Sequence, residues 1–200
     1  MIVDMEQTVF EKQTRFKTFP PLEMVYIVYR RLREHGARTT YYWLQDKVLR
    51  RTLGFSPPHI SQVQPLLFVG GQHKRRGLAR MRELGISAIV NMREESDDAR
   101  RGLTLDHYLW LATTDDTPPT KEDLARGVDF IAQHIAAGRG VYIHCAAGVG
   151  RAPAMAAAYF VSTGMNMPQA WDTIRQKRPF IRPTPSQIVA LETFAAQRRG

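Results

Sequence analysis

The sequence predicts an α/β fold: a twisted, largely parallel central sheet flanked by helices, with an N-terminal helical extension. Three observations carry that expectation. After Ser56-Pro57-Pro58, short apolar runs alternate with segments of helical periodicity, the pattern of strands joined by crossover helices. One run, Gly140-Val141-Tyr142-Ile143-His144, passes directly into a glycine-containing loop and then into an alanine-rich helix from about residue 151. No internal repeat competes with this reading, and the one boundary worth drawing falls near residue 60, between a basic helical extension (1–60) and a second domain (61–200).

Residues 1–20 are polar and mixed, ending at Pro20-Pro21. Val25, Tyr29 and Leu32 then predict a helix over 21–35 closed by Gly36, and Tyr41, Leu44, Val48 and Leu49 a second over 39–53 closed by Gly54. Both end in arginines, Arg30, Arg31 and Arg33 in the first, Arg50 and Arg51 in the second. Cations in a last turn complement the helix dipole. The alternative is a basic amphipathic hairpin over 21–54 that meets an anionic membrane surface. Leu66-Leu67-Phe68-Val69 before Gly70-Gly71 reads as a strand, 73–84 as a basic amphipathic helix ending at Gly85, and Ser87 to Asn91 as a second strand. His107 to Leu111 reads as a third strand, followed by a turn rich in Thr, Asp and Pro. Thr120, with Asp123 three residues on, starts a helix over 121–137, and Gly140 to His144 is the fourth strand.

With 200 residues, 44% hydrophobic and 24% charged, the chain is neither disordered nor fibrous, and it is long enough to bury a core without staples. Its single cysteine, Cys145, excludes an internal disulfide and the usual cysteine-built zinc cluster. The thiol is therefore a buried apolar filler or a reagent. A net charge of +9 favours anionic partners: nucleic acid, acidic lipid or a phosphorylated substrate. Neither an RNA-binding signature nor zinc-finger spacing is present, so nucleic acid is not an expected partner. The opening MIVDMEQTVFEKQTRF is acidic where a signal peptide is basic, and no stretch reaches the roughly 18 apolar residues of a membrane span. The expectation is a soluble, cytoplasmic protein, peripheral to a membrane if the basic helices meet lipid.

The informative segment is His144-Cys-Ala-Ala-Gly-Val-Gly-Arg151-Ala-Pro. It leaves the carboxyl end of a strand, contains two glycines that let the backbone turn inward, and opens a helix, so successive N–H groups converge on an anion. Ala146, Ala147, Gly148, Val149 and Gly150 are thus the candidate phosphate-binding residues. A cysteine at the start of such a loop lies where amide donors and the helix dipole favour the thiolate. Arg151, at the far end, offers a planar fork that holds two phosphate oxygens. A cysteine and an arginine at this spacing are a weak signal alone; the strand, the His-Cys pair, two glycines, the arginine and the alanine-rich helix together are specific.

His144-Cys145-x-x-Gly148-x-x-Arg151 is similar to the signature of cysteine-dependent protein tyrosine phosphatases, and the surrounding chain resembles their dual-specificity branch. The resemblance covers roughly residues 61–197, through LLFVGGQ, AIVNMREE, HYLWLATTDDTPPT and IRPTPSQIVALETF, and leaves out the first 60. It implies Cys145 as nucleophile, Arg151 as phosphate ligand and a carboxylic acid on a mobile loop that protonates the leaving oxygen, since an alkoxide departs poorly without a proton. Asp115 and Asp116 are the candidates. Ungapped comparison with family strands from Tyr108-Leu109 onward favours Asp115, and a turn-forming or solvated carboxylate is the ordinary role of the other. The resemblance further implies a cysteinyl-phosphate that water hydrolyses with the same Asp as base, and neither metal nor cofactor. His144 would hold Cys145 and the loop. Gln187 would place the water or serve simply as a helix-start polar residue.

One position departs from the family. Ser or Thr usually follows the arginine and assists departure of the thiolate; here it is Ala152. Relatives reading Gly-x-Gly-Arg-Ala-Pro include plant phosphoglucan phosphatases, so alanine does not abolish activity. Phosphotyrosine or phosphoserine protein is the default substrate. The HYLWLATTDDTPPT and IRPTPSQ segments also resemble those of phosphatidylglycerophosphate phosphatases, which with a basic N-terminal hairpin suits a lipid phosphate or phosphoinositide. Against a phosphoinositide, Ala146, Ala147 and Val149 are uncharged, and phosphoglucan is the third option. From other classes come a silent phosphate-binding module, which commonly loses the Cys or Arg present here, an arsenate reductase, which needs resolving thiols this chain lacks, and a sulfur transferase.

Overall fold

The computed structural model describes residues 21–199. The reading of residues 1–20 as a mixed polar stretch lies outside the described residues.

Helix α1 runs Pro21–Leu53 but is two helical segments: Gly36, at φ 77 and ψ 166, leaves the helical region and breaks the run where the sequence placed a stop. Chain contacts divide the protein between Thr40 and Tyr41, within the second segment's first turn and well before residue 60. The first unit is the helical stretch up to Thr40, in which Val25, Tyr26, Tyr29 and Leu32 are all exposed. The second unit begins with Tyr41–Leu53 of α1 and contains every other element.

In this unit α2 (Pro58–Ser61) leads into the edge strand β1 (Gln62–Gln64), then β2 (Leu67–Gly71), α3 (Arg75–Glu83) and β3 (Ile86–Asn91). A 3-10 turn at Ala99–Arg101, β4 (His107–Trp110), α4 (Lys121–Ala136) and β5 (Gly140–Cys145) follow. The chain ends in α5 (Arg151–Ser162), α6 (Met167–Lys177) and α7 (Pro185–Arg199). Strand order is β1-β2-β5-β3-β4, parallel from β2 to β4, with β1 antiparallel to β2. The antiparallel edge was not expected. β2 starts at Leu67 rather than Leu66, because Leu66 adopts φ 65 in the tight turn that joins it to β1. The helix read over 73–84 starts later, at Arg75.

Alternation along the central strands explains why their runs are continuously apolar. Leu67, Val69, Ala88, Val90, Val141 and Ile143 face one cluster with α4 to α7; Phe68, Ile89 and Tyr142 face another with Leu78, Met81 and Phe55. Both faces of a parallel sheet are buried, so polar alternation is absent. Helix α5 is buried from Arg151 to Phe160, and its alanines allow the close approach of sheet and helices that larger residues would prevent. Thr120 caps α4, accepting from the Asp123 amide at 3.1 Å. The carboxyl ends of β5, β2 and β3 therefore open onto one edge, the position where parallel sheets place their sites.

Candidate active site

Cys145 is the last residue of β5, paired in register with Gly71, and is 97% removed from solvent. The chain then turns through Ala146–Gly150 into α5. Gly148 is required there: its φ is 69, and a β carbon would sit 2.5 Å from the Gly70 backbone. The turn brings the Gly148 amide back to the sulfur, which accepts its hydrogen at 3.2 Å. The Gly148 amide thus points inward at the sulfur, the orientation an anion cradle requires.

Arg151 opens α5 and is fully buried. Its Nη1 donates to Glu95 Oε2 at 2.8 Å, to Thr113 O at 2.8 Å and to Met92 O at 3.3 Å. Its Nη2 donates to Glu95 Oε1 at 3.1 Å and lies 3.0 Å from Asp115 Oδ1. Only Nε, also buried, donates to no protein atom. Burial opposes the guanidinium charge, but Glu95, Cys145 and Asp115 outweigh it and raise its pKa above the ordinary value. Burial likewise favours the neutral form of Glu95, yet hydrogen bonds from Arg151 and Arg93 pull its carboxyl down to about 2.

The loop after β4 carries Asp115 and Asp116. Asp115 reaches Arg151 with its side chain largely exposed. Asp116 sits at φ 60, and what it offers inward is its carbonyl, which accepts from Thr184 Oγ1 at 3.1 Å. Gln187 is buried and fully engaged: its Oε1 accepts from the Thr184 amide at 3.0 Å, while its Nε2 donates to Thr117 O at 2.9 Å. With the Gln187 amide donating to Thr184 Oγ1, this is a reciprocal cap on α7 that also anchors the Asp loop.

His144 is buried, its Nε2 2.8 Å from Asp98 Oδ2. Asp98 in turn accepts from Gln72 Nε2 at 2.9 Å, and His73 Nε2 meets Leu103 O at 2.6 Å. Ligating atoms of His73, Asp98 and His144 all lie within 4.8 Å. Packed in the interior and turned on one another, they brace β5 behind the loop. Sequence reasoning passed over Glu95 and Asp98. The signal available for Glu95 was its place just beyond β3, a central strand next to β5.

The arrangement is that of a cysteine-dependent phosphatase. Residues 67–197 match the family described as the dual specificity phosphatase catalytic domain, and the chain belongs to that family. It is 27% identical over 124 residues to dual specificity protein phosphatase 5 of Homo sapiens, a match covering 61% of this chain and 32% of that protein. It is 26% identical over 140 residues to phosphatidylglycerophosphate phosphatase PTPMT2 of Arabidopsis thaliana, covering 67% and 61%. The chain thus matches about a third to three-fifths of the length of these relatives. Its fold is similar to that of PTPMT1 in complex with PI(5)P, with a TM-score of 0.63, 24% identity, and coverage of 68% of this chain and 94% of that one.

Proposed function

We propose that the chain hydrolyses phosphomonoesters through a covalent intermediate on Cys145, and that its substrate is a lipid phosphate. The Cys145 thiolate attacks phosphorus, forming the S–P bond as the ester P–O bond breaks. Asp115 gives its proton to the departing oxygen. Water then attacks the cysteinyl-phosphate, Asp115 takes the water's proton, and the S–P bond breaks to release inorganic phosphate and the thiolate. Amides of residues 146–150 and Arg151 supply the field that stabilises the transferring group. The observation that carries this reading is the Arg151 Nε–H: a buried, charged donor beside Cys145 with no protein acceptor, in a side chain whose other donors are all used. Buried polar groups are mostly hydrogen-bonded, so a charged donor of this kind at the loop is one that an anionic ligand can complete.

Two features favour lipid over the default phosphoprotein. Val25, Tyr26, Tyr29 and Leu32 form an exposed apolar stripe on a helix that also carries Arg30 and Arg33, the make-up of an interfacial helix. The relatives include one named for phosphatidylglycerophosphate. Among the described residues no helix is long and apolar enough to cross a membrane.

The test is a panel of phosphatidylglycerophosphate and phosphoinositides in anionic vesicles, phosphotyrosine and phosphoserine peptides, and phosphoglucan. Lipid turnover should exceed the others, and a Val25→Ser, Tyr29→Ser, Leu32→Ser triple variant should lose vesicle co-sedimentation while retaining hydrolysis of p-nitrophenyl phosphate. Peptide turnover exceeding lipid turnover would restore the phosphoprotein reading, and inactivity of wild type on every ester would leave a binding module.

A further inference from the structure

The carbonyls of the loop after Cys145 are held from outside by two arginines from distant parts of the chain and by two backbone amides, Gln72 N–H on Ala146 O at 3.1 Å and Arg182 N–H on Val149 O at 2.8 Å. Arg50, on the second segment of α1, donates from Nη1 to Ala146 O at 3.0 Å. Arg178, just past α6, donates from Nη2 to Ala147 O at 3.4 Å and from Nε to Gly148 O at 3.2 Å. One carboxylate joins them: Asp46 Oδ2 lies 3.5 Å from Arg50 Nε and Asp46 Oδ1 3.3 Å from Arg178 Nη1. Asp46 and Arg178 are both buried. Room for the two guanidiniums is reserved by glycine, since a β carbon on Gly71 would stand 2.4 Å from Arg50 Nη1 and one on Gly148 2.7 Å from Arg178 Nη2.

Within a peptide unit the C=O of one residue and the N–H of the next point in opposite directions. Pulling the carbonyls of Ala146, Ala147 and Gly148 outward therefore turns the amides of Ala147, Gly148 and Val149 inward. The Gly148 amide, which donates to the Cys145 sulfur, shows that orientation directly. We infer that Asp46 and Arg50 are positioning residues for the phosphate loop, so that residues 41–53, which precede the matched family region, belong to the catalytic unit. The inference rests on the phosphatase reading, but its geometry concerns anion binding and is testable apart from turnover.

Arg50 is the residue to change, because Asp46 then keeps Arg178, whereas removing Asp46 leaves the buried Arg178 without its carboxylate and facing the half-buried Arg50. The full chain with Arg50→Met, Arg50→Lys or the remote surface control Arg198→Met is compared with wild type. Inorganic vanadate binding by calorimetry, thermal midpoint, and kcat and KM on p-nitrophenyl phosphate are measured. Loss of one charge-assisted hydrogen bond predicts vanadate binding weakened roughly tenfold in Arg50→Met with its midpoint held within a few degrees. KM should rise with it, Arg50→Lys should recover part of the loss, and Arg198→Met should show neither effect. Vanadate affinity in Arg50→Met within twofold of wild type overturns the inference, as does a loss that Arg50→Lys does not relieve. A wild type that binds vanadate but turns over nothing would count against the enzyme reading while leaving this comparison intact.

Discussion

The Arg151 guanidinium meets the Glu95 carboxylate through two hydrogen bonds, at 2.8 and 3.1 Å, across 56 residues of sequence. The pair fixes the plane of the fork before any substrate arrives, leaving Nε directed at no protein atom. Glu95→Gln keeps the shape but sets an NH2 group against an Arg151 donor. A hydrogen bond to a charged group is worth about 1.5–3 kcal/mol, so kcat/KM on an aryl phosphate should fall roughly tenfold to hundredfold. A carboxyl lowered from 4.5 to about 2 contributes its pairing fully above its ordinary value and loses it only as pH falls through 2. Glu95 stays ionised over the working range, and the variant should lower the pH–rate profile between pH 4 and 8 without moving its limbs. A displaced acid limb would assign Glu95 a titrating role instead.

Asp115 and Asp116 separate by what each presents to the site: a carboxylate 3.0 Å from Arg151 in one, a backbone carbonyl bound by Thr184 in the other. Asp115→Asn should cost kcat about a hundredfold or more on an alkyl phosphate, the ordinary range for general acid catalysis, and far less where the leaving alcohol is already acidic. Asn tolerates the left-handed φ of 60 at position 116, so Asp116→Asn should leave both rates near wild type. Equal sensitivity of the Asp115→Asn loss across leaving groups would show that the residue is not the proton donor.

Ala152 lies in the same buried cluster as Cys145 and offers no hydroxyl to the sulfur, which in the proposed reaction departs in the second step. Breakdown of the intermediate should then be the slow step. In rapid-mixing experiments wild type is expected to show a burst of alcohol release, with Ala152→Ser raising the steady rate several-fold and shrinking the burst. An added buried hydroxyl costs about 1–3 kcal/mol if it lacks a partner, so the same variant should melt somewhat lower unless it bonds the sulfur. An unchanged steady rate and burst would remove this role from position 152.

The strand-turn-helix course of residues 140–162 was legible in the sequence because its parts are covalent neighbours. β5, the turning glycines and Arg151 are adjacent along the chain, and the turn follows from backbone sterics alone. The break at Gly36 was legible for the same reason. β1 was not, since Gln62–Gln64 is three residues long, polar at both ends, and a strand only because β2 pairs with it. Glu95, Arg50 and Arg178 escaped because their meaning lies in partners 56, 96 and 132 positions away, which no local spacing encodes. Gln187 was read as a helix-start residue or a water-placing one; its observed bonds cap α7 and hold Thr117, the second of which requires the tertiary fold.

Behind the loop, burial holds the His73 imidazole down to about 4 from its ordinary 6.5, with His144 and Arg101 acting in the same direction and Asp98 against them. Its Nε2 is committed to Leu103 O, so a second proton must go on Nδ1, which faces no acceptor. A histidine with a depressed pKa is protonated in the unfolded chain before the folded one, so acid favours unfolding. Stability from this residue is complete above 6.5 and declines as pH falls toward 4, by roughly 2 kcal/mol between pH 7.5 and 5. Asp98 and Glu95, whose carboxyls are both lowered, lose their contributions at more acid pH, whereas His134, also lowered by burial, adds a decline of the same sign below 6.5 that the variant retains. His73→Gln retains a donor for Leu103 O without the titration. Urea midpoints at pH 7.5 and 5 should differ markedly in wild type and much less in the variant; the same pH dependence in both would show that His73 does not govern acid stability.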